Sequence, residues 1–356
     1  NQQPPSEAAV INASINSPVT WRTPSIRYSN NEIYVDVVET LEGTIGRDGK
    51  MNRANLYATV ITRTRLTGEC GPTSMNSGAT DSYAPCLLGM PDILLSLSKS
   101  DVLRDASFHP CVRNRRWKKE RVLSFIPPDG ACELATFRVG QPHKVDLFEP
   151  SIAQPLPRTM PSPAGSWAEA APVTCRCQMR SGPLDSDGSK MRAIEFEIKL
   201  EAKSALLQDK TMQEIVVSFE LPEDATNVDA ALTAERGGGG ISSNGGFGSE
   251  SSSAQQDSSA AAGSFIYDSK LHIFRWYIPK LRSPSSGGFS SVKAKGSFET
   301  YDIGPRPASN VSMQFQVPMY ALSGVKVDSL LMTGEAYKPF KGVRNVLSGD
   351  LEVRWA

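Results

Sequence analysis

The 356 residues are enough for two core-forming units at about 100–200 residues each. Lysine plus arginine balance aspartate plus glutamate at 38 each, so no global field draws the chain to nucleic acid or an anionic membrane, and any charge-driven partner must meet a local patch. No apolar run approaches the roughly 18 residues of a membrane-spanning helix, and Asn1 to Pro5 offers neither the basic start nor the apolar stretch of a secretory leader, which predicts a soluble, unsecreted chain.

In chain order, Ile33, Val35 and Val37 alternate with Tyr34, Asp36 and Val38, and Leu56 to Thr64 continues the β-branched and aromatic enrichment of a pleated, half-buried surface. Val122 to Phe125 enters Pro127-Pro-Asp-Gly130, where proline pre-sets φ and glycine is free to take a positive φ. Glu133 to Val139 leaves that turn, which predicts an antiparallel hairpin. Further strands are predicted at Ala193 to Leu200, Glu214 to Leu221, Lys270 to Ile278, Val292 to Thr300, Ser312 to Val317, Val325 to Met332 and Asp350 to Trp355. Many short strands between turn signals predict an all-β chain of two β-sandwiches or one elongated pair. Glu69 to Pro85, Gln154 to Pro172 and Arg236 to Gly263 bury too little apolar surface to offset their ordering entropy and are read as mobile insertions. The last, rich in serine, is either a tolerated loop or a phosphorylation tract.

The residues that carry chemistry elsewhere are sparse. His109, His143 and His272 are the three histidines, and none is spaced to serve a nucleophile or a second metal ligand. Nucleophile elbows, phosphate-binding loops and zinc-protease motifs are missing, so no enzyme and no cofactor is expected. Cys70, Cys86, Cys111, Cys132, Cys175 and Cys177 are too thinly spread for a secreted disulfide framework, which predicts reduced thiols. Cys175-Arg-Cys177 lacks the four ligands of a zinc site and reads as a buried, inert pair. Asp185-Ser-Asp187-Gly188 opens like a calcium loop, but Phe196 stands where the twelfth-position glutamate belongs, so no metal is expected. Arg113, Arg115, Arg116, Lys118, Lys119 and Arg121 surround Trp117, either as a footprint for anionic lipid or an acidic partner subunit or as a solvated strand edge guarded by charge. Asn12-Ala-Ser and Asn310-Val-Ser fit the glycosylation pattern but are discounted without a leader peptide. The start at Asn1 instead of methionine predicts a fragment.

Several longer strings carry a resemblance. Asn30-Asn-Glu-Ile-Tyr-Val-Asp-Val-Val-Glu39, Gly89-Met-Pro-Asp92, Ser107-Phe-His-Pro-Cys-Val-Arg113 and Glu120-Arg-Val-Leu-Ser-Phe-Ile-Pro-Pro-Asp-Gly130 look like the mu homology domain of adaptor-complex medium subunits. Phe315-Gln-Val-Pro318, Ser323-Gly-Val-Lys-Val327 and Lys338-Pro-Phe-Lys-Gly-Val-Arg344 extend the match, and the last is most similar to the third adaptor complex. The match is dense from about Trp21 to Val139 and from Ser312 onward, and weak between. It implies an elongated domain of two β-sandwich subdomains, the second inserted into the first: residues 1–20 as linker, 21–145 with 311–356 as the first subdomain, and 146–310 as the insert, interrupted at 154–172 and 236–263.

The resemblance also implies a function: recognition of Tyr-x-x-hydrophobic sorting signals in the cytosolic tails of membrane cargo, for transport from Golgi or endosome to lysosome or vacuole. By motif, Tyr34, Asp36, Arg344 and Arg63 would hold the signal's tyrosine, with Asp36 accepting its hydroxyl and the arginines packing on its ring. Ile33, Val35, Val327, Leu330 and Val343 would form the pocket for the hydrophobic residue three positions on; by composition alone the same five read as sandwich core. Lys341, Gly342, Val343 and Arg344 would accept the signal as an added strand. Gly342 stands where plasma-membrane relatives carry a tryptophan that packs on the peptide, which predicts weaker binding here. The implied partners are the other subunits of a heterotetrameric complex and anionic phospholipid, at Golgi and endosomal membranes. The rival within the class is a scaffold domain without peptide binding. The rival from another class is a cell-surface β-sandwich hydrolase or carbohydrate-binding protein.

Overall fold

The computed structural model describes residues 19–22, 26–68, 90–140, 167, 171–182, 191–203, 207, 209–236, 260–283, 288–301, 310–335 and 337–356. Expectations for 69–85, most of 154–172 and 237–259, His143 and the calcium-like 185–188 lie outside these residues. In chain order the strands are β1 (Glu32–Ile45), β2 (Met51–Arg65), β3 (Asp92–Leu97), β4 (Leu103–Phe108), β5 (Val122–Phe125), β6 (Gly130–Val139), β7 (Val173–Ser181) and β8 (Arg192–Ala202). They continue as β9 (Thr211–Glu220), β10 (Thr226–Arg236), β11 (Ser264–Asp268), β12 (Ile273–Arg282), β13 (Phe289–Thr300), β14 (Val311–Pro318), β15 (Val327–Thr333) and β16 (Phe340–Val353). A short α-helix, α1 (Asn114–Glu120), lies between β4 and β5.

The chain divides into two compact units. The first comprises Asn1–Glu39, Tyr57–Gly140 and Ala321–Val346, and the second Thr40–Leu56, Gln141–Tyr320 and Leu347–Ala356, so that β1, β2 and β16 are each shared between them. In the first unit, β16, β1, β2, β6 and β4 lie side by side, and β15, β3 and β5 form a separate antiparallel sheet. Alternation sends Ile33, Val35, Val37 and Val60 inward with Ile93, Leu95, Leu123 and Phe125 of the smaller sheet, all with no exposed surface. In the second unit, the sheet β10-β13-β8-β7 faces β11, β12, β9 and β14 across a core of aromatic rings. Phe196 of β8 meets Phe219 of β9 and Phe274 of β12, each at 5.2 Å between centroids.

Two expectations are corrected. β5 and β6 do not form a hairpin: β5 pairs with β3, and β6 with β2 and β4, so Pro127-Pro-Asp-Gly130 carries the chain from one sheet to the other. Gly130 does take the positive φ, 81°. The two prolines, however, have no N–H to give a ladder, and their carbonyls accept bonds from Arg22 and Thr64 instead. The basic cluster, second, is not a strand edge but the helix α1 and its caps. Cys175 and Cys177 project from one face of β7 with sulfurs 3.7 Å apart, both buried, and the Cys175 thiol and then burial raise the Cys177 pKa, keeping it protonated.

Candidate functional site

The alternation that buries Ile33 and Val35 turns Tyr34 and Asp36 to the opposite face of β1. Asp36 is nonetheless 8% exposed, and a carboxylate so covered needs partners. It has two. Arg344 of β16 grips it with a fork, Nε donating to Oδ1 at 3.1 Å and Nη2 to Oδ2 at 2.7 Å, and Arg63 of β2 donates from Nη2 to Oδ2 at 3.2 Å. The bond to Asp36 raises the Arg344 pKa. Both arginine side chains stay more than half exposed, 55% for Arg63 and 53% for Arg344. Three donors on a carboxylate with about four acceptor positions leave room for one more hydroxyl, at Oδ1.

Tyr34 donates its hydroxyl to Glu32 Oε2 at 2.9 Å, and that bond raises its pKa. A cavity of about 370 Å³ lies against this ring, lined also by Glu32, Arg63, Thr64, Arg65, Gly130 and Ala131. The ring lies over Gly342, where an added Cβ would stand 2.5 Å from Tyr34 Cδ1, and 5.8 Å from it is the ring of Phe340, 64% exposed. Gly342 therefore does not simply remove an aromatic surface: the glycine makes room for the Tyr34 ring, which with Phe340 restores one.

Residues 340–346 are the more exposed half of β16, with Val343 at 44%. β14 neighbours β16 in the sheet and lies in the unit that holds 347–353. Lys341 Nζ donates to Leu330 O at 2.7 Å and Asn345 Nδ2 to Val325 O at 2.9 Å, fixing this half of β16 beside β15. The five apolar candidates separate: Val343 is exposed, Val327 half-buried, Leu330 9% exposed, and Ile33 and Val35 fully buried on the inward face.

Sequence reasoning passed over Glu32, Arg65 and Phe340, although the first two lie two residues from Tyr34 and Arg63 and so share their faces. It also missed Arg22, which is buried. Its guanidinium donates to Leu66 O and, at 3.2 Å, to Pro127 O, which ties both β2 and the crossover turn to the segment before β1. Burial lowers the Arg22 pKa, opposed by Asp129 nearby.

On α1 the six cations divide by partner. Arg113 reaches Asp92 at 2.6 Å, Arg116 pairs with Glu120 at 3.0 Å, and Arg121 sits 5.4 Å over the ring of buried Trp117. Arg115, Lys118 and Lys119 form no ion pair among the described residues. Their spacing of three and four places them on one helix face.

Residues 19–72 and 86–355 match the family model described as the adaptor complexes medium subunit family. Among curated relatives, the AP-3 complex subunit mu-1 of Gallus gallus is 27% identical over 344 residues, covering 95% of this chain and 61% of its own length. AP-3 mu-1 and mu-2 of Homo sapiens are each 28% identical with the same coverage. The chain thus spans about three-fifths of these relatives. Among solved structures, a yeast delta-COP-I mu-homology domain complexed with a Dsl1 WxWxV peptide aligns over 92% of this chain and 100% of its own, at 12% identity and a TM-score of 0.47, a likeness too slight to add to the assignment.

Proposed function

The chain belongs to the adaptor complexes medium subunit family, and from that membership and the geometry around Asp36 we propose that it reads Tyr-x-x-hydrophobic signals in the cytosolic tails of membrane cargo. The observation that carries this is the near-buried Asp36 carboxylate held between two exposed guanidinium groups, with an acceptor position left at Oδ1.

The signal pairs as an extra strand along Lys341–Arg344, and its main-chain hydrogen bonds supply affinity without sequence preference. Its tyrosine ring lies against the exposed guanidinium groups of Arg344 and Arg63, a cation–π arrangement, beside the cavity that Tyr34 and Arg63 line. Its hydroxyl donates to Asp36, a charge-assisted bond worth about 1.5–3 kcal/mol. The hydrophobic side chain rests on Val343, Leu330 and Val327; Ile33 and Val35 come within reach only if those three move apart. In the cell the domain works within an adaptor complex with its other subunits, peripherally at Golgi and endosomal membranes. The Arg115, Lys118 and Lys119 face of α1 supports a contact with anionic phospholipid there.

Calorimetric titration with a Tyr-x-x-Leu peptide tests the reading. The parent peptide should bind, its Tyr→Ala form should not, and phosphorylation of its tyrosine should abolish binding, because a phosphate would meet the Asp36 carboxylate. Equal binding of the Tyr and Ala peptides would show that the Asp36 cluster is a structural ion pair only.

A further inference from the structure

The two end strands of the sheet β10-β13-β8-β7 differ in what lies beyond them. Beyond β7 stand Trp355, which bridges Cys177 in parallel, and Ala356, whose N–H donates to Cys177 O at 2.9 Å. β10 pairs with β13 along one edge, and no described residue pairs with the other. Its register is regular from Asp229, opposite Ser297, to Glu235, opposite Ser291, with irregularities only at the two ends. Natural sheet edges are guarded by proline, charge or a bulge, and the run Ala230-Ala-Leu-Thr-Ala234 has none of these.

Alternation gives β10 two faces. Val228, Ala230, Leu232 and Ala234 turn to the core, where Ala230 meets Gly296 and Leu232 meets Ala294 of β13, yet all four are only half-buried. The interior is therefore open along this edge. The Phe196 ring lies over Gly296, where an added Cβ would stand 2.2 Å from Cζ. Phe265 and Tyr267 of β11, the end strand of the facing sheet, are half-buried too, and the Tyr267 hydroxyl donates to Ala225 O, just before β10, at 3.5 Å. On the outer face Asp229 and Glu235 stand at the two ends of the uncharged run, both exposed and neither in an ion pair among the described residues. Arg236 is turned onto the Phe289 ring, 5.0 Å from its centroid. Asp229 also walls a cavity of about 410 Å³ with Arg180, Glu195 and Lys295. The cations there are engaged elsewhere, Lys295 with Glu197 at 3.6 Å and Arg180 with Gln178 at 3.4 Å, which leaves the Asp229 carboxylate uncompensated.

We propose that the open edge of β10 receives an extended segment of a partner protein, a strand with apolar residues on one face and a lysine or arginine at each end of the other. Main-chain hydrogen bonds to residues 229–235 hold it. Its apolar side chains, opposite Ala230, Leu232 and Ala234, close the interior, and its cations stand opposite Asp229 and Glu235, one of them in the cavity that Asp229 walls. A second copy of this chain fits poorly. Antiparallel pairing with matched faces sets Asp229 against Glu235 in one register and leaves the two diagonal in the registers on either side, like charges each time. The inference is independent of the reading of tyrosine signals.

The test uses the 356-residue chain and two labelled peptides capped at both termini, Lys-Leu-Thr-Val-Thr-Phe-Lys and the same peptide with glutamate for both lysines, followed by fluorescence anisotropy and amide hydrogen exchange. The lysine peptide should bind about 10-fold or more tightly than the glutamate peptide and slow exchange within 226–236. In the double variant Asp229→Lys, Glu235→Lys, changed only at exposed positions, the preference should reverse. Binding of neither peptide, equal binding of both, a preference that survives the charge reversal, or protection confined to residues outside β10 overturns the proposal. Protection of 226–236 that rises with protein concentration in the absence of peptide overturns it in favour of a second copy.

Discussion

The two units use their strands for opposite purposes. The second closes an interior of rings: Phe219 and Phe274 lie 5.1 Å apart, Phe265 stacks on Phe274 at 5.3 Å, and Trp355 meets Phe219 edge-on at 5.1 Å. The first places a carboxylate on the outer face of β1, nearly covered, and compensates it with arginines that remain half in water. Rings held this way contribute mainly to cohesion. A carboxylate clamped by exposed cations adds little to stability, because solvent screens its partners, yet it fixes an acceptor in a defined direction.

Substitutions in the two places should therefore separate stability from binding. Phe274→Ala is expected to have the largest effect, a loss of about 3–5 kcal/mol in urea-induced unfolding, with peptide affinity under native conditions within two-fold. Asp36→Ala should do the reverse: affinity for a Tyr-x-x-Leu peptide falls by about 10- to 100-fold in calorimetry, while unfolding free energy changes by less than about 1 kcal/mol. A large stability loss from Asp36→Ala would erase the contrast. Gly349→Ala, whose Cβ would stand 2.1 Å from a ring atom of Phe315 in the second unit, should cost about 1–3 kcal/mol and leave the peptide site alone.

The smallest effect concerns pH. Tyr28 bonds to Asp129, and burial, then that bond, push its pKa from 10 up to about 12. The folded chain thus keeps the phenol proton where the unfolded chain has lost it. The stabilising contribution is fully present below pH 10 and disappears as pH rises toward 12, and Tyr28→Phe should flatten that part of the stability curve.

Much of this contrast was legible in the residues. The alternation in Ile33 to Val38 announced both a strand and which side chains would share a face, and Asp36 stood out because a carboxylate among β-branched neighbours demands a partner. That the partner would be Arg344 came from resemblance alone, since pattern reasoning has no reach across 308 positions. β10 escaped notice because none of its residues is buried and its alternating face, Val228, Ala230, Leu232 and Ala234, is half alanine and so only weakly apolar. β3 is a run of Asp-Ile-Leu-Leu-Ser-Leu too short to tell strand from helix by period, and α1, at seven residues, is hidden behind its own charges. The crossover at Pro127-Pro-Asp-Gly130 imitates a hairpin because both need the same turn chemistry. What tells the two apart is the strand pairing, with Arg22 and Thr64 taking the carbonyls of the two prolines.

The distance between Asp36 and Arg344 along the chain has a consequence for biosynthesis. At roughly 5–20 residues per second, the 308 positions between them take a ribosome about 15–60 s to add. For most of that interval β1 is made without β16, and the edge that β16 will cover keeps its N–H and C=O groups unpaired. The Asp36–Arg344 fork is therefore complete only after β16 has been made, and a chain truncated before residue 340 would carry Asp36 without its arginine partner on β16.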